Sequence, residues 1–298
     1  MHKPVMLNEV LQFACAKSPR TILDGTFGRG GHTRALLAAL PASRVTALDQ
    51  DVVAVEHGNA AFAAAIKENR LSVNHFNFHE IGQFTPRPAE GFDLILLDLG
   101  VSSPQLDEAE RGFSFYQDGP LDMRMNQSGG ETAADLINNW SEVELLALFQ
   151  KYGEIPRPQR VVRAVVNDRK TTPFTTTLQL AGLIERVEGW HKKGHHPATR
   201  YFLALRMAVN NELAGLEACL PEMRAALSPG GRLIIITFHS LEDRIIKYDF
   251  RGAPEGFPLT KKVVVPTRTE CEENPRARSA KLRVFQRGAY DDEPREAE

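Results

Sequence analysis

An acid and a glycine-rich bend near the start of the chain form the first candidate site. Residues 21–32 read TILDGTFGRGGH, a short apolar run that ends in Asp24 and leads into a bend containing Gly28 and Gly30. A helical pattern follows, so the segment predicts strand, tight turn and helix, where backbone N–H groups can meet a ligand. The next apolar run ends in Asp49, about 20 residues past the glycines, the spacing at which a carboxylate can bind ribose hydroxyls. Together these residues predict a site for a nucleoside-containing cofactor.

The predicted cofactor is S-adenosylmethionine rather than a dinucleotide. The dinucleotide fingerprint G-x-G-x-x-G is matched by Gly28 and Gly30, but Thr33 occupies its third glycine position. Asp24 lies close to where a pyrophosphate would have to sit, and like charges there cost free energy. S-adenosylmethionine carries no phosphate, and its methionine end presents an ammonium and a sulfonium that suit an acid. An NAD(P)-dependent oxidoreductase is therefore disfavoured.

A third acid ends the apolar run at residues 92–98. In open α/β sheets, ligands bind at the carboxyl ends of the strands, so Asp24, Asp49 and Asp98 are predicted to point at one rim. Phe78 follows an alternating strand-like segment, and its ring could cover an adenine face or simply belong to the core.

Methyl transfer from S-adenosylmethionine is an in-line displacement, in which the protein positions a nucleophile and removes its proton. Methylation of a pyrimidine carbon-5 usually needs a cysteine nucleophile. None of the cysteines lies at a strand end near the bend; they are Cys15, Cys219 and Cys271. Methylation of an exocyclic amine needs instead hydrogen-bond acceptors that orient the NH₂ group and take a proton. The predicted catalytic residues are Asp98, Ser102, Ser103 and Pro104.

Length and composition indicate an ordinary globular protein. The 298 residues can form one large domain or a domain with an insert, and the hydrophobic content of 42% with 25% charged residues is typical of this class. The sequence lacks the ~20-residue apolar run of a membrane span and a signal peptide, so we expect a cytoplasmic protein without a membrane partner. No disulfide or metal site is expected from three scattered cysteines. An acidic turn at residues 107–110 is read as solvated rather than metal-binding.

Two basic segments on a chain of net charge −2 predict a surface that faces phosphates. Residues 151–210 contain 11 Lys and Arg against 4 Asp and Glu, and residues 274–288 contain 5 against none. Solvated helix faces are the alternative interpretation. If the substrate is a base in structured RNA, the base must be extruded into the pocket. The candidate RNA contacts are Lys170, Arg200, Arg206, Arg276 and Arg278.

The order of elements predicts an α/β core interrupted by a helical insert. Strand and helix patterns alternate until Pro104, after which helical patterns appear at residues 131–139, 141–152, 156–169 and 177–189. A long helix at about 201–227, a buried strand at 232–238 and a last strand at 281–287 return the chain to the core. The predicted domains are therefore residues 1–106 with 201–298, and an RNA-recognition insert at residues 107–200.

Several long strings resemble the bacterial ribosomal small-subunit methyltransferase H family, also called MraW. They lie at residues 24–32, 97–106, 111–115, 118–125, 196–200, 238–244 and 273–279. The resemblance implies a class I, Rossmann-like S-adenosylmethionine methyltransferase with an inserted helical domain. It also implies methylation of the exocyclic N(4) of a decoding-centre cytidine in the 16S ribosomal RNA of the small subunit.

The resemblance also assigns residues to the cofactor. The positions that match the family's cofactor contacts are Gly30, Gly31, His32, Asp49, Phe78, Asp98 and Gln105. The resemblance therefore favours cofactor binding over a role as a base for Asp98. The chain departs from the family pattern at residues 152–158, which read YGEIPRP instead of YGEERFA, and the two prolines should break the start of a helix. Two alternatives remain, an amino-methyltransferase for another RNA or DNA base and a non-catalytic RNA-binding assembly factor. The sequence does not give the oligomeric state, and a homodimer is compatible with it.

Overall fold

The computed structural model describes residues 3–189 and 196–288, and the chain divides into two compact units. The first unit comprises Met1–Gly100 and Ala214–Glu298, and the second comprises Val101–Leu213. The sequence-based prediction places these junctions at 106/107 and 200/201. The first junction follows Gly100, whose φ of +98° favours glycine over any residue with a side chain.

The first unit is built on one seven-stranded sheet. The strands are β1 (Thr21–Asp24), β2 (Arg44–Asp49), β3 (Leu71–His75), β4 (Phe92–Asp98), β5 (Leu227–Thr237), β6 (Gly256–Pro258) and β7 (Lys281–Arg287). Their order across the sheet is β3-β2-β1-β4-β5-β7-β6. Strands β1 to β5 run parallel, whereas β7 is antiparallel to β5 and β6 is antiparallel to β7. This topology confirms the predicted α/β class with a Rossmann-like core.

The helices lie before, between and after these strands. They are α1 (Leu7–Cys15), α2 (Gly31–Ala39), α3 (Val52–Ala61), α4 (Ala63–Lys67), α5 (Ser103–Asp107), α6 (Ala133–Asn139), α7 (Glu142–Lys151), α8 (Gln159–Asp168), α9 (Thr177–Glu188), α10 (Thr199–Val209), α11 (Glu212–Ala225), α12 (Ser240–Gly252) and α13 (Arg268–Glu273). Helices α5 to α10 belong to the second unit, and α11 begins with its last two residues. Within residues 3–189 and 196–288, every helix is too short or too polar to cross a membrane.

Strand β4 shows how the sheet of the first unit is buried on both faces. Leu94 and Leu96 pack with the buried residues of α1 and α2, whereas Ile95 and Leu97 pack with those of α11 and α12. All four side chains are at most 1% exposed. Because alternate residues of a strand point to opposite faces, a continuous apolar run is what a parallel sheet covered on both sides requires.

The second unit has a separate core formed by α6 to α10. Capping boxes begin four of its helices, at Ser102, Thr132, Ser141 and Thr176, each with an acceptor side chain three residues later. The predicted helix at 156–169 begins only at Gln159, because a proline disfavours the helical conformation of the residue before it, so Pro158 acts against a helical Arg157. These start signals explain why the helical character of this segment could be predicted locally.

The single long helix predicted at 201–227 is wrong, because the chain breaks between α10 and α11. Asn211 has φ +49°, a left-handed conformation that asparagine tolerates better than most residues. The side chain of Asn210 donates to the carbonyl oxygen of Met123 at 2.8 Å and accepts from the N–H of Met125 at 2.7 Å. These two bonds tie the break to a distant loop of the second unit, which the local sequence pattern does not reveal.

Candidate active site

The carboxyl ends of β1, β2 and β4 bring three acids to one rim of the sheet in the first unit. Asp24, Asp49 and Asp98 are the last residues of these strands, and β1 lies between the other two. The charge of Asp24 raises the pKa of both Asp49 and Asp98, so the three carboxyl groups interact. The predicted meeting of these acids at one rim is therefore observed.

The glycine-rich bend joins β1 to α2 and is held by the neighbouring strands. The N–H of Gly28 donates to Asp49 Oδ2 at 2.7 Å, and Gly28 and Gly30 have φ of +55° and +70°. A Cβ on Gly30 would also lie 2.6 Å from the ring of Phe62 and 2.7 Å from that of Phe27. No side chain caps the first turn of α2, which begins at Gly31. The bend thus leaves a helix N-terminus for a ligand, as its sequence predicts.

Asp24 braces this bend to the helix that follows it. Its side chain accepts a hydrogen bond from the Thr33 hydroxyl at 2.6 Å and one from the N–H of Thr26 at 3.2 Å. The residue is only 2% exposed, and burial raises its pKa to about 6. Thr33, at the third glycine position of the dinucleotide fingerprint, is therefore the hydrogen-bond donor to the buried Asp24. A direct cofactor contact by Asp24 stays a prediction.

Asp49 accepts one backbone hydrogen bond on each carboxylate oxygen. The donors are the N–H of Gly28 and, at 2.9 Å, the N–H of Asp51. Burial, followed by the charges of Asp51 and Asp24, raises the pKa of Asp49 to about 6 despite these bonds. Each oxygen keeps a second lone pair, so the carboxylate can still accept hydrogen bonds from ribose hydroxyls.

His32 and Asp98 face each other across the rim. His32 Nε2 lies 3.0 Å from the carbonyl oxygen of Val5, which can only accept, so we assign the ring proton to Nε2. His32 Nδ1 then points a lone pair at Asp98 Oδ2, 3.6 Å away. Burial lowers the pKa of His32 to about 4, and burial followed by the charges of Asp24 and Glu242 raises the pKa of Asp98 to about 8. At neutral pH both groups are therefore largely uncharged.

Asp98 also carries a buried oxygen without a hydrogen-bond partner. In the described part of the chain, Oδ1 is inaccessible to solvent and has no donor within reach, although the side chain as a whole is 26% exposed. Such an unmet acceptor costs about 1–3 kcal/mol. A ligand that brings a charged N–H donor to this point would recover that cost. The rim therefore fits a cationic, hydrogen-bond-donating ligand.

Glu242 is a fourth acid near this rim that the sequence analysis did not assign to the site. It lies in the first turn of α12, is 2% exposed, and its Oε2 accepts from the N–H of Phe238 at 3.0 Å. Its charge contributes to the raised pKa of Asp98. The available signal was its position just past the carboxyl end of β5, the strand next to β4.

Phe78 is half-buried and lies beside the glycine-rich bend. It starts a 3₁₀ turn at Phe78–Gln83, and its Cβ is 3.4 Å from the position that a Cβ on Gly25 would occupy. Its ring packs against the core and contacts His79 at a centroid distance of 4.4 Å. Both roles considered from the sequence, core packing and an adenine contact, are compatible with this position.

The loop residues predicted after β4 form the start of α5 in the second unit. Gln105 is 5% exposed, and its Oε1 accepts from the N–H of Ser102 at 2.9 Å, so it serves a capping box. Ser103 and Pro104 are the first residues of the helix. The catalytic roles of Ser102, Ser103 and Pro104 and the cofactor role of Gln105 stay predictions.

The basic residues predicted in the second unit differ in what they bind. Both guanidinium contacts of Arg206 with Glu212 are 2.8 Å long, and the Arg206 side chain is 14% exposed, which argues against a phosphate-binding role. Arg200 donates to the carbonyl oxygens of Gly153, at 2.7 Å, and Glu154. Arg200 therefore stabilises the turn at Gly153 and Glu154, within the segment 152–158 whose sequence departs from the family pattern. Lys170 has an exposed side chain just past the end of α8.

The two remaining RNA candidates lie in the first unit on a 3₁₀ turn, Pro275–Ser279. Arg278 is exposed and donates from Nε to the carbonyl oxygen of Cys271 at 3.3 Å, whereas Arg276 is half-buried. A cavity of about 380 Å³ at the carboxyl end of β5 is lined by His239, Ser240, Arg278 and Lys281, among others. Arg278 therefore faces a cavity next to the acid rim.

The rim acids predict how the stability of the unliganded chain depends on pH. The pKa values of Asp24 and Asp49, about 6, and of Asp98, about 8, lie above the unfolded value near 3.8. The stability that these groups contribute is complete below pH 3.8 and is lost as the pH rises through 6 and 8. We expect the melting temperature to fall by roughly 3–6 °C between pH 6.5 and 9. Thermal melts followed by circular dichroism check this, and a constant or rising value would contradict the proposed rim electrostatics.

Comparison with known proteins gives close relatives over nearly the whole chain. Residues 1–288 match the model of the MraW methylase family. A ribosomal RNA small subunit methyltransferase H from Bdellovibrio bacteriovorus is 56% identical over 295 residues, which cover 98% of this chain and 89% of the relative. Proteins of the same name from Thermomicrobium roseum and Deinococcus radiodurans are 43% and 44% identical and align with 97% of this chain, covering 94% and 90% of their own lengths.

Proposed function

The chain belongs to the MraW methylase family, and from this premise we propose that it transfers a methyl group from S-adenosylmethionine to the exocyclic N(4) of a cytidine in 16S ribosomal RNA. We place that cytidine in the decoding centre of the small ribosomal subunit. The names of the relatives, ribosomal RNA small subunit methyltransferase H, support the RNA and the subunit.

The observation that carries the cofactor proposal is the unpartnered Oδ1 of Asp98 within an acidic rim. The groups that interact with the Asp98 carboxyl in the first unit are two acids, Asp24 and Glu242, and the neutral imidazole of His32. A bound cation relieves the repulsion between these acids and supplies the missing donor. The ammonium and sulfonium of S-adenosylmethionine meet that need, whereas the pyrophosphate of a dinucleotide would add negative charge.

We assign the parts of the cofactor to residues along the rim. The first turn of α2, with Gly30 and Gly31, and the carboxyl group of Asp98 bind the methionine end. Asp49 accepts hydrogen bonds from the ribose hydroxyls, and Phe78 covers the adenine. When bound, S-adenosylmethionine supplies an activated methyl group, so the protein's own residues need only orient the amine and exclude water.

The cysteines favour methylation of an amine over carbon-5 chemistry. Carbon-5 methylation requires a thiolate that attacks the ring. Cys219 is buried in the core, and burial raises the pKa of its thiol to about 12. Cys15 lies at the end of α1, and Cys271 lies on α13 and lines the cavity at the carboxyl end of β5, so neither follows one of the strands that end in the rim acids. We therefore propose that an acceptor at the carboxyl end of β4, with Asp98 as the candidate, orients the cytidine NH₂ group.

We propose that the second unit recognises the RNA. Its exposed Lys170 and the excess of Lys and Arg over Asp and Glu in the sequence of residues 151–210 support this role. Arg278, at the cavity beside the rim in the first unit, would contact a phosphate near the target nucleotide. Arg200 acts indirectly in this proposal, because it fixes the turn at Gly153 and Glu154.

The test uses purified protein, methyl-labelled S-adenosylmethionine and small ribosomal subunits that lack the modification. Naked 16S RNA and a DNA duplex of the same sequence serve as comparison substrates. After digestion to nucleosides, we expect label in N(4)-methylcytidine from one site in the ribosomal RNA. Label in 5-methylcytidine or in DNA would overturn the proposed substrate, and cofactor binding without turnover on any substrate would support a non-catalytic assembly factor instead.

A further inference from the structure

A second cavity in the first unit is lined by positive charge. It measures about 250 Å³ and lies between α12 and the β6–β7 edge of the sheet. The charged residues of its lining are all cationic, namely Lys247, Arg251, Lys261 and Arg283. The acid rim and the glycine-rich bend contribute no residue to it, so it is distinct from the proposed cofactor site.

The acids nearest in sequence to Lys247, Arg251 and Lys261 are bound by Arg224, by Lys281 and by Arg283, the last of which lines the cavity itself. Asp243 accepts from Arg283 Nε at 2.7 Å and from Lys281 Nζ at 3.4 Å. Asp249 and Glu255 both accept from the buried guanidinium of Arg224. The charges of Lys247, Arg251 and Lys261 therefore remain uncompensated by these acids, and the cavity favours an anion.

An exposed aromatic ring accompanies the cationic cavity. Tyr248, on α12, is one of the exposed large side chains of the first unit, with 64% of its surface exposed. The Nζ of Lys247 lies 5.6 Å from the centroid of its ring. A cationic groove next to an exposed aromatic ring is the combination by which proteins hold unpaired nucleic acid, with the phosphate on the cations and a base on the ring.

We propose that this cavity binds a backbone phosphate of the RNA substrate and that Tyr248 stacks on an unpaired base beside it. The inference rests on the proposed function and adds a contact outside the methyl-transfer site. Arg283 shares Asp243 with Lys281, which lines the cavity at the carboxyl end of β5. Lys281 and Arg283 of β7 thus place cations at both cavities, a distribution that suits a polymer with repeated phosphates better than a single small anion.

The test compares two triple variants that remove the same charge. The first combines Lys247→Gln, Arg251→Gln and Lys261→Gln. The control combines Arg20→Gln, Arg44→Gln and Lys67→Gln, which are exposed cations elsewhere in the first unit. Dissociation constants for an unpaired RNA oligonucleotide are measured over a salt series, together with the affinity for S-adenosylmethionine.

For the cavity variant, we expect RNA affinity to fall by about 10-fold or more. We also expect the negative slope of the log of the association constant against log salt to become shallower by about 2. The control should stay within about 2-fold, since non-specific surface charges contribute little each. Cofactor affinity should not change in either variant. Equal losses in both triple variants, or an unchanged salt slope in the cavity variant, would overturn the inference.

Tyr248 provides an independent arm of the test. Tyr248→Ala should weaken RNA binding by about 5-fold or more, because stacking on one base is worth about 1–3 kcal/mol, whereas Tyr248→Phe should bind as the unchanged chain does.

A loss seen with assembled subunits but not with naked RNA would identify a protein partner and overturn the RNA assignment. If the unchanged chain methylates no RNA yet binds it through this cavity, the proposed function fails and this inference stands. If the unchanged chain methylates RNA and the cavity variant keeps its KM and its RNA affinity, this inference fails and the proposed function stands.

Discussion

Replacement of Asp98 by asparagine is expected to weaken S-adenosylmethionine binding by about 10-fold or more and to lower methyl transfer by about 100-fold or more. The variant keeps the size and the hydrogen-bonding geometry of the side chain but cannot ionise. A bound cation favours the ionised form of Asp98, and the variant cannot offer the cationic end of the cofactor that charge at the buried Oδ1 position. Equilibrium titration with the cofactor and single-turnover transfer measure the two effects separately. An unchanged dissociation constant with a reduced rate would assign Asp98 to the amine rather than to the cofactor.

The same substitution should make the unliganded chain more stable at pH 8. Ionisation of Asp98 beside Asp24 and Glu242 is unfavourable, since burial and these charges raise its pKa to about 8. Asparagine removes that cost and can donate from its amide to His32 Nδ1. We expect the melting temperature to rise by roughly 3 °C or more at pH 8 to 9, to rise by less at pH 6, and to change little below pH 4, where the carboxyl is protonated in both the folded and the unfolded chain.

Asp93, at the other end of β4, provides the matched control. Its carboxylate accepts from the N–H groups of Arg20 and Thr21 at 2.8 and 3.0 Å and from the Ser228 hydroxyl at 2.9 Å, and its pKa is lowered by these hydrogen bonds despite partial burial. Asp93→Asn should therefore lower the melting temperature and leave cofactor affinity unchanged. A loss of stability in both variants would contradict the distinction between a structural acid and a ligand-binding acid.

Replacement of Gly30 by alanine is expected to have the second large effect. The residue has φ +70°, and a Cβ there would lie 2.6–2.7 Å from the rings of Phe62 and Phe27, which are both buried. Left-handed strain of about 1–2 kcal/mol and the ring contacts should displace the start of α2. We expect the melting temperature to fall by roughly 5 °C and cofactor affinity to fall by about 10-fold or more, measured below the melting transition.

Gly182 is the matched control for this substitution. It lies inside α9, its φ is not positive, and a Cβ there would have open space around it. Gly182→Ala should leave cofactor affinity unchanged and stabilise the helix by about 1 kcal/mol. Similar losses of cofactor affinity in both variants would show that the effect is not specific to the bend.

Much of the first unit could be predicted because its signals are local. The predicted last strand at 281–287 has the observed bounds of β7. The sequence of the bend predicted the acid at the strand end, the turn and the start of the helix together. The position of the three acids at one rim followed from a general property of parallel sheets. The capped helices of the second unit were predictable for the same reason, since Ser141 and Thr176 mark their starts within a few residues.

The features that escaped prediction depend on the tertiary structure, either on contacts between distant segments or on the break between α10 and α11. Asn210 binds the backbone of Met123 and Met125, and this breaks a helix that looked continuous. Arg206 was predicted to contact a phosphate, but in the structure its guanidinium forms an ion pair with Glu212. Glu242 lies 144 positions after Asp98 in the chain, yet its charge raises the pKa of that residue. Residue type and local spacing carry no information about such partners.

The central claim is that the chain attaches the methyl group to the amino nitrogen of a cytidine in ribosomal RNA. Small subunits whose cytidines carry ¹⁵N only at the amino nitrogen would be reacted with S-adenosylmethionine labelled with ¹³C in its methyl group. Nucleosides from the digested RNA would then be examined by NMR. We predict that the transferred methyl carbon shows a one-bond coupling to ¹⁵N. A transferred methyl signal without that coupling would place the methyl group on a carbon, an oxygen, a ring nitrogen or the amine of another base and contradict the account.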